Sequence, residues 1–229
     1  PVPPPAPCYY GTCREFLYYR DPIIASIYPT GGPMRGGFTT TLLGGRFNGM
    51  FMNASVARCA FGEHHVPVHS IPNAGSLNCT TPPLRYAHLP VALSMNGQDF
   101  TLTTHRYRAY PQSVHQVWPL GAPTNGGSAV TLFGEGFASY DMAHAPHAAC
   151  RFQRADRPPA WCEKYIAPML RTVTRQRCLA RAVVLRNFAE DEAEADTLGC
   201  VLPTSAFDGN ASAVRVQLSL NGIDFVDEI

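Results

Sequence analysis

Apolar and polar residues alternate along this chain in short runs of period two, and no stretch of any length carries the period of an amphipathic helix. Thr39–Leu43 and Ala129–Phe133 are β-branched and apolar, each with a glycine pair before it and a glycine after it. VALSMNGQDF (91–100) and VQLSLNGIDF (216–225) place an apolar residue at every second position ahead of Asn-Gly. Residues i, i+2 and i+4 share one face of a strand, so these runs predict half-buried strands. Turn signals built on Gly, Pro and Asn recur roughly every 8–12 residues, the spacing of a small antiparallel sandwich.

The pattern is written twice. Residues 29–47 align without gaps on 119–137, and nine of the nineteen positions are identical, among them Pro29/Pro119, Gly44/Gly134, Leu42/Leu132 and Phe47/Phe137. Cys59-Ala60-Phe61 then pairs with Cys150-Arg151-Phe152, and Cys79 with Cys200, before the shared decapeptide closes each copy. Two tandem domains follow, with the break near Tyr110-Pro111: a leader (1–21), domain 1 (22–110) and domain 2 (111–229). The cysteines of the first copy lie 20 residues apart and those of the second 50, so domain 2 carries about 30 added residues, at about 154–197. Within them, Cys178–Leu185 reads as an extra strand.

Asn-Gly between alternating runs is the signal of a tight type I′ hairpin. Turning at Asn96-Gly97 pairs Met95 with Gln98 and Leu93 with Phe100, and puts Val91, Leu93, Met95 and Phe100 on one inward face. The same register applies to Leu218, Leu220, Ile223 and Phe225. The repeated cysteines predict the disulfides Cys59–Cys79 and Cys150–Cys200, worth about 3 and about 4 kcal/mol by loop entropy. Cys162 with Cys178, and Cys8 with Cys13, are the economical remaining pairs.

Composition narrows the compartment more than the chemistry. An even count of eight cysteines without CxxC, and sequons at Asn53-Ala54-Ser55, Asn78-Cys79-Thr80 and Asn210-Ala211-Ser212, point to an extracellular or cell-surface setting reached through the secretory pathway. A net charge of +1 offers nucleic acid nothing, and no run of 18 apolar residues is present, so membrane attachment is expected only through a segment outside this sequence. PVPPPAP opens the chain with neither Met nor a hydrophobic signal core, which places any signal peptide upstream or already removed.

The residues assembled so far resemble the IPT/TIG family of immunoglobulin-like domains. The resemblance rests on Ile24–Pro29 leading into Gly-Pro and Gly-Gly (32–37), then Thr41-Leu42-Leu43-Gly44 and Phe47, Cys59-Ala60-Phe61-Gly62, Cys79–Pro82 and the run at 91–100. The second copy departs from it, with Ala122 where a Gly is usual and Gln153 where Gly62 stands. The resemblance implies an all-β fold of two tandem immunoglobulin-like antiparallel sandwiches, without catalytic residues to carry over. It implies a place in receptor or adhesion ectodomains, in transcription factors as a dimerisation module, or in starch-acting enzymes as an accessory domain. Residues 16–22 resemble the closing strand and linker of a preceding unit. The second copy stops four residues past Phe225, so the native chain is expected to continue beyond Ile229.

Candidate chemistry is thin. His65 and His69 share a face if 66–70 is a strand, but no carboxylate or thiolate supports a Zn²⁺ site, and surface histidines are the plainer reading. Asn96/Asp99 and Asn221/Asp224 are a poor oxygen set for Ca²⁺ and suit a turn better. Hydrolase and phosphate-loop motifs are absent. No catalytic residue, metal or cofactor is therefore expected. The added residues of domain 2 hold Trp161, Tyr165, Arg171, Arg175 and Arg177, a mix enriched at interface hot spots. The expected function is extracellular protein–protein recognition, as adhesion or receptor ectodomain. A structural repeat of a filament or matrix is the alternative, and a transcription-factor segment a further one that the sequons and paired cysteines oppose. A carbohydrate-binding module comes last.

Overall fold

The computed structural model describes residues 19–47, 56–101, 103–137, 148–154, 178–186, 196–203 and 213–226. The first sandwich contains β1 (Ile23–Tyr28), β2 (Gly31–Pro33), β3 (Thr39–Gly45), β4 (Arg58–Phe61), β5 (His64–Asn73), β6 (Ser76–Thr80), β7 (Ala87–Ser94) and β8 (Arg106–Tyr110). Its strand order is β1-β3-β6-β5-β4-β7-β8-β2, and among the described pairings only β2 with β8 runs parallel. β5 passes from one layer to the other: residues 64–67 pair with β4, and residues from Val68 onward pair with β6.

The second sandwich repeats the plan with β9 (Ser113–Trp118), β10 (Ala129–Glu135), β11 (Ala149–Arg154), β12 (Leu179–Arg186), β13 (Asp196–Val201) and β14 (Val214–Ser219), ordered β14-β11-β12-β13-β10-β9. β12 is not an extra strand. It pairs with β11 at one end and β13 at the other, the place β5 holds between β4 and β6. The added residues therefore fall on both sides of it: 155–178 stand where the first sandwich has two residues, and 187–195 where it again has two.

Period two sets the core. Thr40 and Leu42 on β3 point inward, as do Val130 and Leu132 on β10. In the first sandwich Leu42 and Leu77 meet Phe61, Leu93 and Tyr107; in the second, Leu132 and Leu198 meet Phe152 and Leu218. Cys59–Cys79 and Cys150–Cys200 are disulfides, each joining the two layers through the core, and all four cysteines are buried. The repeated glycine 44/134 has a steric cause: a Cβ at either would strike the backbone oxygen of the neighbouring edge strand and the ring of Phe47 or Phe137.

The decapeptides do not turn as tight hairpins. Thr101 N donates to Leu93 O and Val226 N to Leu218 O, so Leu93 faces Thr101 rather than Phe100. Only the glycine of each Asn-Gly has positive φ (79° at Gly97, 78° at Gly222), whereas type I′ needs both central residues there. Val91, Leu93 and Met95 are buried as the alternation requires. Phe100 and Phe225 instead lie half-exposed, Phe100 against the His65 ring (4.3 Å) and Phe225 under the Arg151 guanidinium (4.2 Å).

Candidate functional site

An asparagine side chain replaces the tight turn in both loops, and the two networks match bond for bond. Asn96 Oδ1 accepts from Ser94 Oγ (3.0 Å), Gln98 N (3.0 Å) and Asp99 N (2.9 Å), and its Nδ2 donates to Asp99 Oδ2 (2.7 Å). Asn221 Oδ1 accepts from Ser219 Oγ (3.0 Å), Ile223 N (3.0 Å) and Asp224 N (2.9 Å), and its Nδ2 donates to Asp224 Oδ2 (2.8 Å). Such Asx loops satisfy backbone donors locally.

Their surroundings differ. Asp99 is exposed, but Asn221 and Asp224 are 5% and 4% exposed because their loop is packed against the first sandwich. The second hydrogen of Asn221 Nδ2 goes to Gly31 O at 2.8 Å, 190 residues away. A Cβ on Gly32 would hit the Tyr107 hydroxyl and come within 3.0 Å of Asp224 Oδ2, so glycine is what lets the loop approach. Gln112 donates from Nε2 to Leu218 O (2.8 Å), and both groups are buried. Tyr110 completes the joint. Its backbone belongs to β8, paired with Pro33, while its side chain is fully buried in the core of the second sandwich. Burial pushes the Asp224 carboxyl up to about 6, against the opposing effect of the Asn221 hydrogen bond.

The outer faces differ as well. Across the first sandwich Tyr28, Thr41 and Asn78 stand side by side on β1, β3 and β6; across the second the same places hold Trp118, Thr131 and Gly199. Asn78 Oδ1 accepts from Thr41 Oγ1 (2.9 Å), and its Nδ2 donates to Ser70 Oγ (3.0 Å). Trp118 is 60% exposed and Val201 56%, beside Leu120 at 88%. Among the described residues this second face is the more apolar of the two.

Of the residues singled out from the sequence, Trp161, Tyr165, Arg171, Arg175 and Arg177 lie outside the described residues, as do Cys8, Cys13, Cys162, Asn53 and Asn210. Cys178 is buried and disulfide-bonded. The other described cysteines are paired among themselves, and the expected partner Cys162 lies outside the described residues. His64, His65 and His69 lie on β5. Among the described residues no three His, Cys, Asp or Glu side chains gather to hold a metal, and no helix is long and apolar enough to cross a membrane. Sequence reasoning missed the joint and the Trp118 face. One signal was present: Gly31-Gly32 in the first copy answers to Gly121-Ala122 in the second, and Gln112 answers to Pro22.

Fold and joint together define a tandem of immunoglobulin-like, disulfide-linked β-sandwiches. The sequence model of the IPT/TIG domain matches residues 22–108, the span of the first sandwich. The chain is also similar to the full extracellular region of plexin A4 (14% identity over 84% of the chain, TM-score 0.46). A second similarity is to the surface glycan-binding protein PbSGBP-B from Prevotella bryantii (13% identity, 91% of this chain and 42% of that one, TM-score 0.30). A third is to Dpr2 Ig1-Ig2 in complex with DIP-Theta Ig1-Ig3 (11%, 85% and 96%, TM-score 0.31). The chain spans 13% of the plexin A4 chain.

Proposed function

We propose that this chain is a non-enzymatic protein–protein recognition segment of a larger extracellular or cell-surface glycoprotein. The observation that carries the reading is the joint. A buried Asn221–Gly31 contact and a tyrosine shared between strand and core hold two disulfide-linked sandwiches as one unit. Such a unit presents surfaces at a fixed spacing, and preorganisation of that kind lowers the entropy lost on binding. The IPT/TIG assignment and the buried disulfides support the compartment. Asn53, Asn78 and Asn210 are the proposed glycan acceptors.

Recognition is assigned to what only the second sandwich has: the added residues carrying Trp161, Tyr165, Arg171, Arg175 and Arg177. The rigid joint also suits a structural repeat of an extracellular assembly, and one experiment separates the two. The secreted chain is tested against an array of cell-surface ectodomains while its own assembly is followed by sedimentation. Recognition predicts saturable binding by a monomer, weakened at least about ten-fold by Trp161→Ala or Arg175→Ala. Concentration-dependent polymers without ectodomain binding would overturn it in favour of the structural repeat.

A further inference from the structure

The joint between the sandwiches is made by a loop that the first sandwich also owns. We infer that the Asn96–Asp99 loop is the receiving half of a second joint, which seats the first Gly-Gly turn of another IPT/TIG-type domain lying before the first sandwich in tandem. Three observations support this.

The loop is already in its docking form. Its four internal hydrogen bonds reproduce those around Asn221 to within 0.1 Å, and Gly97 matches Gly222 in φ. Asn96 Nδ2 spends one hydrogen on Asp99. Among the described residues nothing accepts the other, the hydrogen that in Asn221 reaches Gly31 O.

Its position is equivalent too. The chain enters the second sandwich beside the Asn221 loop, where Gln112 reaches Leu218. It enters the first beside the segment that leaves the Asn96 loop: Pro22, Ile23 and Ile24 line one surface hollow with Thr101 and Thr103, which follow Asp99 closely in the chain. A unit placed N-terminal to residue 19 therefore stands where the first sandwich stands relative to the second.

The occupant is a domain with glycine at the Gly32 position rather than a second copy of this chain docked head to tail. The far turn of this chain is Gly121-Ala122-Pro123, and Ala122 carries a Cβ where the joint leaves only 3.0 Å to the aspartate oxygen. The new joint has Arg20 and Pro22 where the first has Tyr110 and Gln112, so it is held by the loop with less help and is the looser of the two.

A three-unit chain tests this, with a copy of residues 22–109 placed directly ahead of Arg20–Ile229. That join keeps the natural spacing between β8 and the next first strand, and the native Arg20. Amide hydrogen exchange is read at Gln98 and Asp99, with Ile223 and Asp224 as the internal standard of a made joint. The added unit should slow Gln98 and Asp99 at least about ten-fold relative to the 229-residue chain, the effect of roughly one hydrogen bond. Asn96→Asp keeps the acceptor but loses both Nδ2 bonds, the one to Asp99 inside the loop and the one across the joint, so it is read in both chains. It should abolish the difference between the three-unit and the 229-residue chain at Gln98 and Asp99 and leave Ile223 and Asp224 unchanged. Asn221→Asp should speed Ile223 and Asp224 and leave Gln98 and Asp99 unchanged. Equal rates with and without the added unit overturn the proposal, as does a slowing that survives Asn96→Asp. Gln98 and Asp99 already donate to Asn96 Oδ1, so the 229-residue chain sets the baseline. Protection there equal to that of Ile223 and Asp224 also overturns the proposal: the chain's own leader covers the loop if it is independent of concentration, and a second copy if it is concentration-dependent.

Discussion

Asn96 and Asn221 stand in the same loop, accept the same three hydrogen bonds and hold the same aspartate, yet one loop faces outward and the other is sealed between two sandwiches. What separates them is not their own sequence but what arrives from outside: a backbone carbonyl of Gly31 and a cleared space at Gly32. The comparison teaches that a repeated motif can be scaffold and contact at once. Its internal bonds build the turn in both places, and one leftover donor decides whether the turn also joins.

Breaking the two loops in the same way should break the likeness. Asn221→Ala removes three acceptor bonds, orphans the buried Gly31 carbonyl and strips Asp224 of its partner, an expected loss of about 3 kcal/mol; Asn96→Ala, at the surface, should cost only about 1 kcal/mol. Denaturant unfolding of the two variants gives the difference directly, and equal losses would mean that Asn221 adds nothing across the joint.

A smaller effect separates the loops by pH. Asp224 is raised to about 6 in the folded chain, above its ordinary carboxylate value of 3.8. The folded state therefore binds the proton more tightly. The stabilisation is fully present below the unfolded value and is lost as pH rises through about 6. Between pH 4 and pH 7 this group should withdraw on the order of 2 kcal/mol, and Asp224→Asn, which cannot ionise, should flatten that part of the stability profile.

The smallest expected effect lies in the cores. Thr40 is fully buried in the first sandwich, its hydroxyl has no hydrogen-bond partner among the described residues, and the same place in the second holds Val130. Thr40→Val should stabilise the chain by about 1 kcal/mol and bring the first core closer to the second. A loss of stability on thermal unfolding would mean that the hydroxyl is satisfied after all.

Much of the fold was readable before any coordinates, because burial imposes its period on the letters: Leu42/Leu132, Phe47/Phe137 and the paired cysteines sit in both cores and are written in both copies. β5 and β12 were harder. Among β5 residues only Val68 is fully inside, so the strand owes its place to the edges of β4 and β6 more than to its own side chains, and its counterpart shares no pattern with it. The hairpin register failed for another reason. Backbone propensity at Asn-Gly favours a two-residue turn, but the serine and aspartate flanking the asparagine draw its side chain into the loop and widen it. The joint left only an indirect trace, the differences between the copies at Gly32/Ala122 and Pro22/Gln112, since Asn221 and Gly31 are 190 positions apart and neither carries a local mark of the other.

Asn78 gives the fold an order of events. Its amide nitrogen, the atom a glycan would be attached to, is bonded to Ser70 in the middle of the layer, and the next residue, Cys79, is locked to Cys59 through the core. Once β6 is zipped between β3 and β5, that amide lies in the sheet rather than in an extended, accessible segment. Were a sugar added at this position, addition would have to come before the strands close. The fraction of molecules carrying it would then be a clock, recording how long the first sandwich stays open during synthesis.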